Sequence, residues 1–161
     1  MNLHEISNSP KPIVLVFGRL CSGKGTFCSN EQYQNYTHAT TSDFVKKLSG
    51  KNTRGQLQHT GDLDTQIADE MVAFIKQNKA TIIDGIRQKS IVARILEVFG
   101  EKQVEMIWLE VPSDIRRDRF KNRADAKDDQ NFDDAEAGDS KLGLDDVEAE
   151  FKGRSKVIDH Y

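Results

Sequence analysis

The feature that most constrains this chain is Gly18-Arg19-Leu20-Cys21-Ser22-Gly23-Lys24-Gly25-Thr26, which follows the apolar run Ile13-Val14-Leu15-Val16-Phe17. Five apolar residues, mostly β-branched and stopping at a glycine, predict a strand buried on both faces. Lys24 to about Tyr33 then predicts a helix. A Gly-x4-Gly-Lys loop between strand and helix is the setting of a phosphate cradle. Its glycines let successive N–H groups curl around one anion, the helix start adds a positive dipole end, and the lysine reaches the outer phosphates. Gly25 stands where Ser or Thr usually follows the lysine, so Thr26, one place later, is the expected magnesium ligand.

Downstream, apolar runs and helical periodicities alternate. His38-Ala39-Thr40-Thr41 reads as a short second strand ending at Ser42-Asp43, and Leu63, Ile67, Met71, Phe74 and Ile75 mark a helix over roughly Asp62 to Asn78, with Asp62 as cap. Thr81-Ile82-Ile83-Asp84-Gly85 is a buried strand ending in an acid, and Ile91, Val92, Ile95, Leu96 and Phe99 mark the helix after it. Val104 to Val111 is a fourth strand closed by Pro112, followed by a helix capped by Ser113 or Asp114 and running to about Arg123. The order predicts an α/β fold: one small phosphate-loop domain with a parallel sheet of four to five strands flanked by helices. Ligands of such sheets bind beyond the C-terminal strand ends. Asp84, at such an end beside the loop, is expected to orient magnesium-bound water.

The 161 residues and 37% hydrophobic content suit one domain, residues 12–161, behind a flexible N-terminus at 1–11. Two cysteines seven residues apart, with no partnering Cys or His pair nearby in sequence, predict neither a disulfide framework nor a zinc site, and no run reaches membrane-spanning length, so a cytoplasmic protein is expected. Ala124 to Glu150 holds eleven carboxylates against Lys127 and Lys141. Removing them from the 26 acidic and 23 basic residues leaves 15 and 21, a net +6 that suits an anionic ligand. The charged stretch Ala124 to Gly143 reads as a mobile excursion, and Asp145 to His160 as a final helix. Oligomeric state is left open.

Gly23-Lys24-Gly25-Thr26 resembles the loop of adenylate kinase-type nucleotide kinases, and other segments agree in order. Thr41-Ser42-Asp43-Phe44-Val45-Lys46 is similar to that family's Thr-Gly-Asp-x-x-Arg, and Asp84-Gly85-Ile86-Arg87 to its Asp-Gly-Phe-Pro-Arg. Glu110-Val111-Pro112 through Arg119 and Arg123 resembles the approach to its lid, here about 124–144, and Asp145-Asp146 with Arg154 the helix after the lid. The resemblance implies ATP and Mg2+ as cofactors, with Gly18 through Thr26 binding ATP and Thr26 and Asp84 serving the metal. It implies Lys24, Asp43, Arg119 and Arg123 as catalytic residues, and Ser42, Lys46, Arg54 and Arg87 as acceptor-binding residues.

The departures bear on the acceptor. Lys46 replaces an arginine that grips an acceptor phosphate, and a lysine offers a point charge where a guanidinium offers a fork. An alcohol acceptor must lose a proton as it attacks, and Asp43 is placed to take it. The weakened phosphate grip and the cluster Lys46, Lys47, Lys51, Arg54 lead to a hydroxyl on something anionic. The chain looks most like phage kinases that phosphorylate the hydroxymethyl group of 5-hydroxymethyluracil in DNA, which makes modified DNA the expected partner. A deoxynucleoside monophosphate kinase, with Lys46, Arg54 and Arg87 on the acceptor phosphate, is the alternative, and an acceptor-free nucleotide switch a more distant one.

Overall fold

The computed structural model describes residues 10–49, 63–123 and 130–159. Arg54, Lys51 and Asp62 lie outside them. Strands β1 (Ile13–Gly18), β2 (Thr37–Thr40), β3 (Thr81–Asp84), β4 (Val104–Glu110) and β5 (Lys156–Asp159) form one sheet in the order β2-β3-β1-β4-β5, every pairing parallel. The central strand β1 is buried along its whole length. Helices α1 (Lys24–Cys28), α2 (Thr41–Ser49), α3 (Asp64–Gln77), α4 (Lys89–Phe99), α5 (Ser113–Asn122), α6 (Phe132–Leu142) and α7 (Leu144–Phe151) complete the described elements.

Strand pleating splits the apolar residues between two faces. Leu15, Phe17, Ile83, Met106 and Trp108 point to the larger core, where Ile67, Met71, Ile91, Ile95, Val147 and Phe151 of α3, α4 and α7 meet them. Val14, Val16, Ile82, Ile107 and Leu109 face the thinner core with Phe27, Cys28, Tyr33 and Tyr36. Each fully buried aliphatic side chain contributes about 1.5–3 kcal/mol. This two-sided core fixes where the strand ends open. Pro10 and Lys11 are described, and Lys11 is tied down: its ammonium donates to Val104 O at 3.4 Å and its carbonyl accepts from Tyr36 at 2.6 Å.

Several sequence expectations need correction. The helix after the glycine loop ends at Cys28, followed by a single tight turn at Glu31–Tyr33. The second strand stops at Thr40, so Ser42 and Asp43 belong to the first turn of α2. The Asp43 carboxylate accepts the Thr40 N–H at 3.0 Å, which stabilises the turn there. The charged stretch is not all excursion: α6 runs through it and buries Phe132, Ala135 and Asp139, a spacing that puts one stripe on a single face. Nor does the expected helix from Asp145 continue through the described residues, and its end at His160 lies outside them. After α7 and a turn at Lys152–Arg154, Lys156–Asp159 pairs with β4 as the fifth strand. It is a short edge strand with charged ends and Val157 exposed, so it lacks the apolar run of a central strand. No helix among the described residues is long and apolar enough to cross a membrane.

Gly143 joins α6 to α7 at φ 131°, where a Cβ would lie 2.8 Å from the Arg87 carbonyl oxygen. Gly143→Ala is expected to destabilise the fold by about 1–3 kcal/mol, read as a lowered urea midpoint at unchanged slope. An unchanged midpoint would show that the α6–α7 corner is not held this tightly.

Candidate active site

The glycine loop leaves β1 and closes into a tight ring. Ser22 N–H bonds Arg19 O at 3.1 Å, Cys21 and Gly23 take left-handed conformations (φ 63° and 90°), and Gly23 starts α1. A Cβ on Gly18 would run into Ser22 Oγ and lie 3.2 Å from Leu109 O, so a larger residue there would have to displace the Ser22 side chain. Lys24 Nζ donates back to Gly18 O at 3.1 Å and Arg19 O at 3.2 Å, which holds its charge over the ring. The buried Ser22 Oγ has no hydrogen-bond partner. Because α1 has only five residues, its dipole is small, and the anion-holding capacity rests on the loop N–H groups and Lys24.

The loop forms one wall of a cavity of about 420 Å³, within the range of small-molecule sites. Gly18 and Leu20 through Thr26 line it, together with Asp84, Arg87, Arg119 and Arg123. The structure therefore brings together both arginines, the Lys24 loop, the expected magnesium residues and one acceptor-side arginine. Arg119 and Arg123 do not share a helical face, since α5 ends at Asn122 and Arg123 is extended; both still reach the cavity. Arg119 also donates to Cys21 O at 3.1 Å. Thr40 and Ser42 line the facing wall, their hydroxyls 2.8 Å apart.

Other expected residues fall elsewhere. Asp43 and Lys46 are exposed and stand outside the lining, with Asp43 bonded to the backbone of Thr40, which does line it. Lys47 pairs with Glu70 at 2.9 Å. The Arg19 side chain turns away from the cavity to Ser140, Asp145 (2.8 Å) and Glu148 (3.2 Å). Arg154 pairs with Glu101 and Glu150, also outside the lining.

The acidic stretch supplies what sequence reasoning missed. Asp139 of α6 is 4% exposed, lines the cavity and binds Arg87 at 2.7 Å. Arg116, which reads in sequence as one more basic residue of α5, is buried: it donates to Val111 O at 2.9 Å, to Leu20 O at 3.2 Å and to Glu136. Phe132 packs with Leu20 and Phe120 under the Arg117 guanidinium, 4.6 Å from the ring centre. The helical stripe Phe132, Ala135, Asp139 was the available signal.

Thr26 and Asp84 offer a hydroxyl and a carboxylate on one cavity, a hard oxygen set that fits magnesium. Asp84 is 6% exposed, and its Oδ2 accepts from His38 Nε2 at 2.6 Å and from the Cys28 thiol at 3.6 Å, while Oδ1 takes part in neither bond. The bond to Asp84 raises the His38 pKa above its ordinary value, against the opposing effect of burial. Burial, and then the Asp84 charge, push the Cys28 thiol up well beyond the usual thiol range.

The AAA_18 profile, described as an AAA domain, matches residues 14–139, from β1 through the phosphate loop to Asp139. The chain belongs to the AAA_18 family. Gly18–Thr26 is thus the P-loop of an AAA_18 domain, on a five-stranded parallel sheet of P-loop-kinase type. No curated protein matches the chain in sequence. Among solved structures it is similar to a sugar kinase from Janibacter sp. HTCC2649 (16% identity, TM-score 0.60, covering 93% of this chain and 84% of that one). It is also similar to shikimate kinase from Bacteroides thetaiotaomicron (14%, TM-score 0.60, 94% and 86%). A third likeness is to the Pnkp1/Rnl/Hen1 RNA repair complex (16%, TM-score 0.57), with 91% of this chain matching 48% of that one. At these identities the likeness is one of fold.

The His38–Asp84 bond gives this AAA_18 site a pH signature. His38 contributes stability that is fully present below its unfolded pKa of about 6.5 and lost as pH rises through the higher folded value. The stability gap between wild type and His38→Gln is therefore expected to be widest below pH about 6.5 and to close at higher pH. An NMR titration should place the His38 midpoint above the ordinary value; a midpoint at or below it would contradict the bond.

Proposed function

We propose that the chain is an ATP-dependent phosphotransferase that moves the γ-phosphoryl group of ATP to a hydroxyl on a nucleotide-type acceptor. The hydroxymethyl group of 5-hydroxymethyluracil in DNA is the favoured acceptor. The carrying observation is the single cavity that joins Lys24, Thr26, Asp84, Arg119 and Arg123 to a facing wall of Thr40, Ser42 and Arg87. A nucleotide switch has no use for that second wall.

A hydroxyl acceptor is supported by the fold neighbours, since a sugar and shikimate carry alcohols and no phosphate. It is supported too by Lys46, which stands outside the lining where a monophosphate kinase would need its grip. The choice of a base in DNA rests on the sequence resemblance. The exposed Lys46 adds a charge for a phosphate backbone, whereas Lys47 is engaged with Glu70.

Phosphoryl transfer asks mainly for positioning and charge neutralisation. Lys24 and the loop N–H groups hold the β- and γ-phosphates. Arg119 and Arg123 stabilise the equatorial oxygens as charge spreads in the transition state. Thr26 and Asp84 would hold magnesium, which would supply positive charge to offset that of the phosphates. Arg87, fixed by Asp139, faces the acceptor with Thr40 and Ser42. Asp43, next to Ser42 but outside the lining, is assigned the acceptor proton, a role that requires its carboxylate to leave the Thr40 N–H and swing to the cavity. The new O–P bond then forms at the γ-phosphorus as the bond to the β,γ-bridging oxygen breaks, releasing ADP.

γ-Labelled ATP is to be incubated with hydroxymethyluracil DNA, plain DNA, free monophosphates and shikimate. Label in the modified DNA alone is the expected result. Label only in monophosphates removes the hydroxyl reading, and label nowhere removes the transferase. Lys24→Ala should lower transfer by about 10²–10³-fold or more with the fold intact. Asp43→Asn should lower it by about 10²–10⁴-fold and flatten the acid limb of the pH–rate profile; an unaltered limb would place the base elsewhere.

A further inference from the structure

On the sheet face that carries α1, three potential metal ligands from three elements converge: Cys28 at the end of α1, His38 in β2 and Asp84 at the end of β3. One donor atom from each lies within 4.8 Å of the other two. The Asp84 Oδ2 is 2.6 Å from His38 Nε2 and 3.6 Å from Cys28 Sγ. The transfer chemistry proposed above uses Asp84 and leaves Cys28 and His38 without a task. A thiol buried against a carboxylate is a poor partner for it, since S–H is a weak donor. As ligands of one cation, all three groups become complementary.

We propose that Cys28, His38 and Asp84 form a binding site for a borderline-soft divalent cation, zinc by preference, and that a cation there withdraws Asp84 from the magnesium shell. Thiolate, imidazole and carboxylate are the donor set of zinc, which in three-ligand sites keeps a fourth position for water. Magnesium demands oxygen octahedra and does not compete for the sulfur. Ordinary zinc bond lengths in a tetrahedron put donors about 3.3–3.6 Å apart. The sulfur–carboxylate spacing already meets this. The histidine–carboxylate pair must open by about 0.7 Å to reach the same spacing, which rotation of the His38 ring supplies. Cys28 and Asp84 are buried and the His38 side chain is 35% exposed, so the cation enters on the histidine side. On binding, the Cys28 S–H bond breaks and its proton passes to water as the metal–sulfur bond forms. The Nε2 proton of His38 likewise passes to water, the ring keeps a proton on Nδ1 and turns the Nε2 lone pair to the metal, and Asp84 stays a carboxylate.

The metal site stands independently of the transferase reading; only its inhibitory consequence rests on that reading. The test is a Co2+ titration of the full, reduced chain without nucleotide. One equivalent of Co2+ should raise a near-ultraviolet sulfur-to-cobalt band with visible bands of tetrahedral intensity, and Zn2+ should bleach both. Cys28→Ser should remove the near-ultraviolet band and Cys21→Ser should keep it. His38→Ala should weaken Co2+ binding by more than about 100-fold, beyond the usual loss from an outer-shell partner. No band at millimolar Co2+, or a band that survives Cys28→Ser in a variant folded by circular dichroism, overturns the site. Zn2+ at site-filling concentration should also suppress ATP turnover of wild type and spare Cys28→Ser. Turnover that persists while the cobalt spectrum shows a filled site would overturn the magnesium role of Asp84 and leave the metal site standing.

Discussion

The buried guanidinium of Arg116 is the tie on which the site depends. It joins the end of β4 through Val111 O, the phosphate loop through Leu20 O and α6 through Glu136. Removing Glu136 would leave this buried guanidinium without its counter-charge, at a cost below the ~3–5 kcal/mol of a fully buried pair because Glu136 is itself half-buried. A loop that curls N–H groups around an anion is a strained, open structure, and this brace lets it keep that shape before a phosphate arrives.

The same principle repeats around the cleft. Asp139 clamps Arg87, Asp133 meets Arg117, and Asp145 with Glu148 holds Arg19. The eleven carboxylates of the acidic stretch include the counter-charges of arginines that flank the phosphate site. The exposed pairs among them are worth little each, and the buried Asp139–Arg87 pair, with Arg116 held by the half-buried Glu136, sets the geometry. Arg119 and Arg123 line the same cavity, so α6 braces a wall that these two arginines complete.

Much of the fold was legible in sequence because central strands announce themselves. Ile13–Phe17, Ile82–Ile83 and Met106–Leu109 are buried on both faces and so run continuously apolar. The fifth strand escaped because an edge strand needs neither, and Lys156-Val157-Ile158-Asp159 has charged ends with Val157 in water. Helix α6 escaped because its apolar stripe is thin and its remaining positions are charged. Asp43 was read at a strand end, but its carboxylate bonds the Thr40 N–H and turns the chain one residue earlier.

The sequence by itself determined the donor side. Gly18, Gly23 and Lys24 between a buried strand and a helix leave one arrangement of backbone donors, a local matter of φ angles and spacing. Only the tertiary structure decided which charges line the cleft and which distant partners hold Arg87 and Arg116. Arg87 and Arg116 look alike in sequence with Arg119 and Arg123, yet their partners lie 52 and 20 residues away. It also gathered Cys28, His38 and Asp84 from three elements, since pairing of β2 with β3 and packing of α1 on the sheet fix distances that chain order does not record.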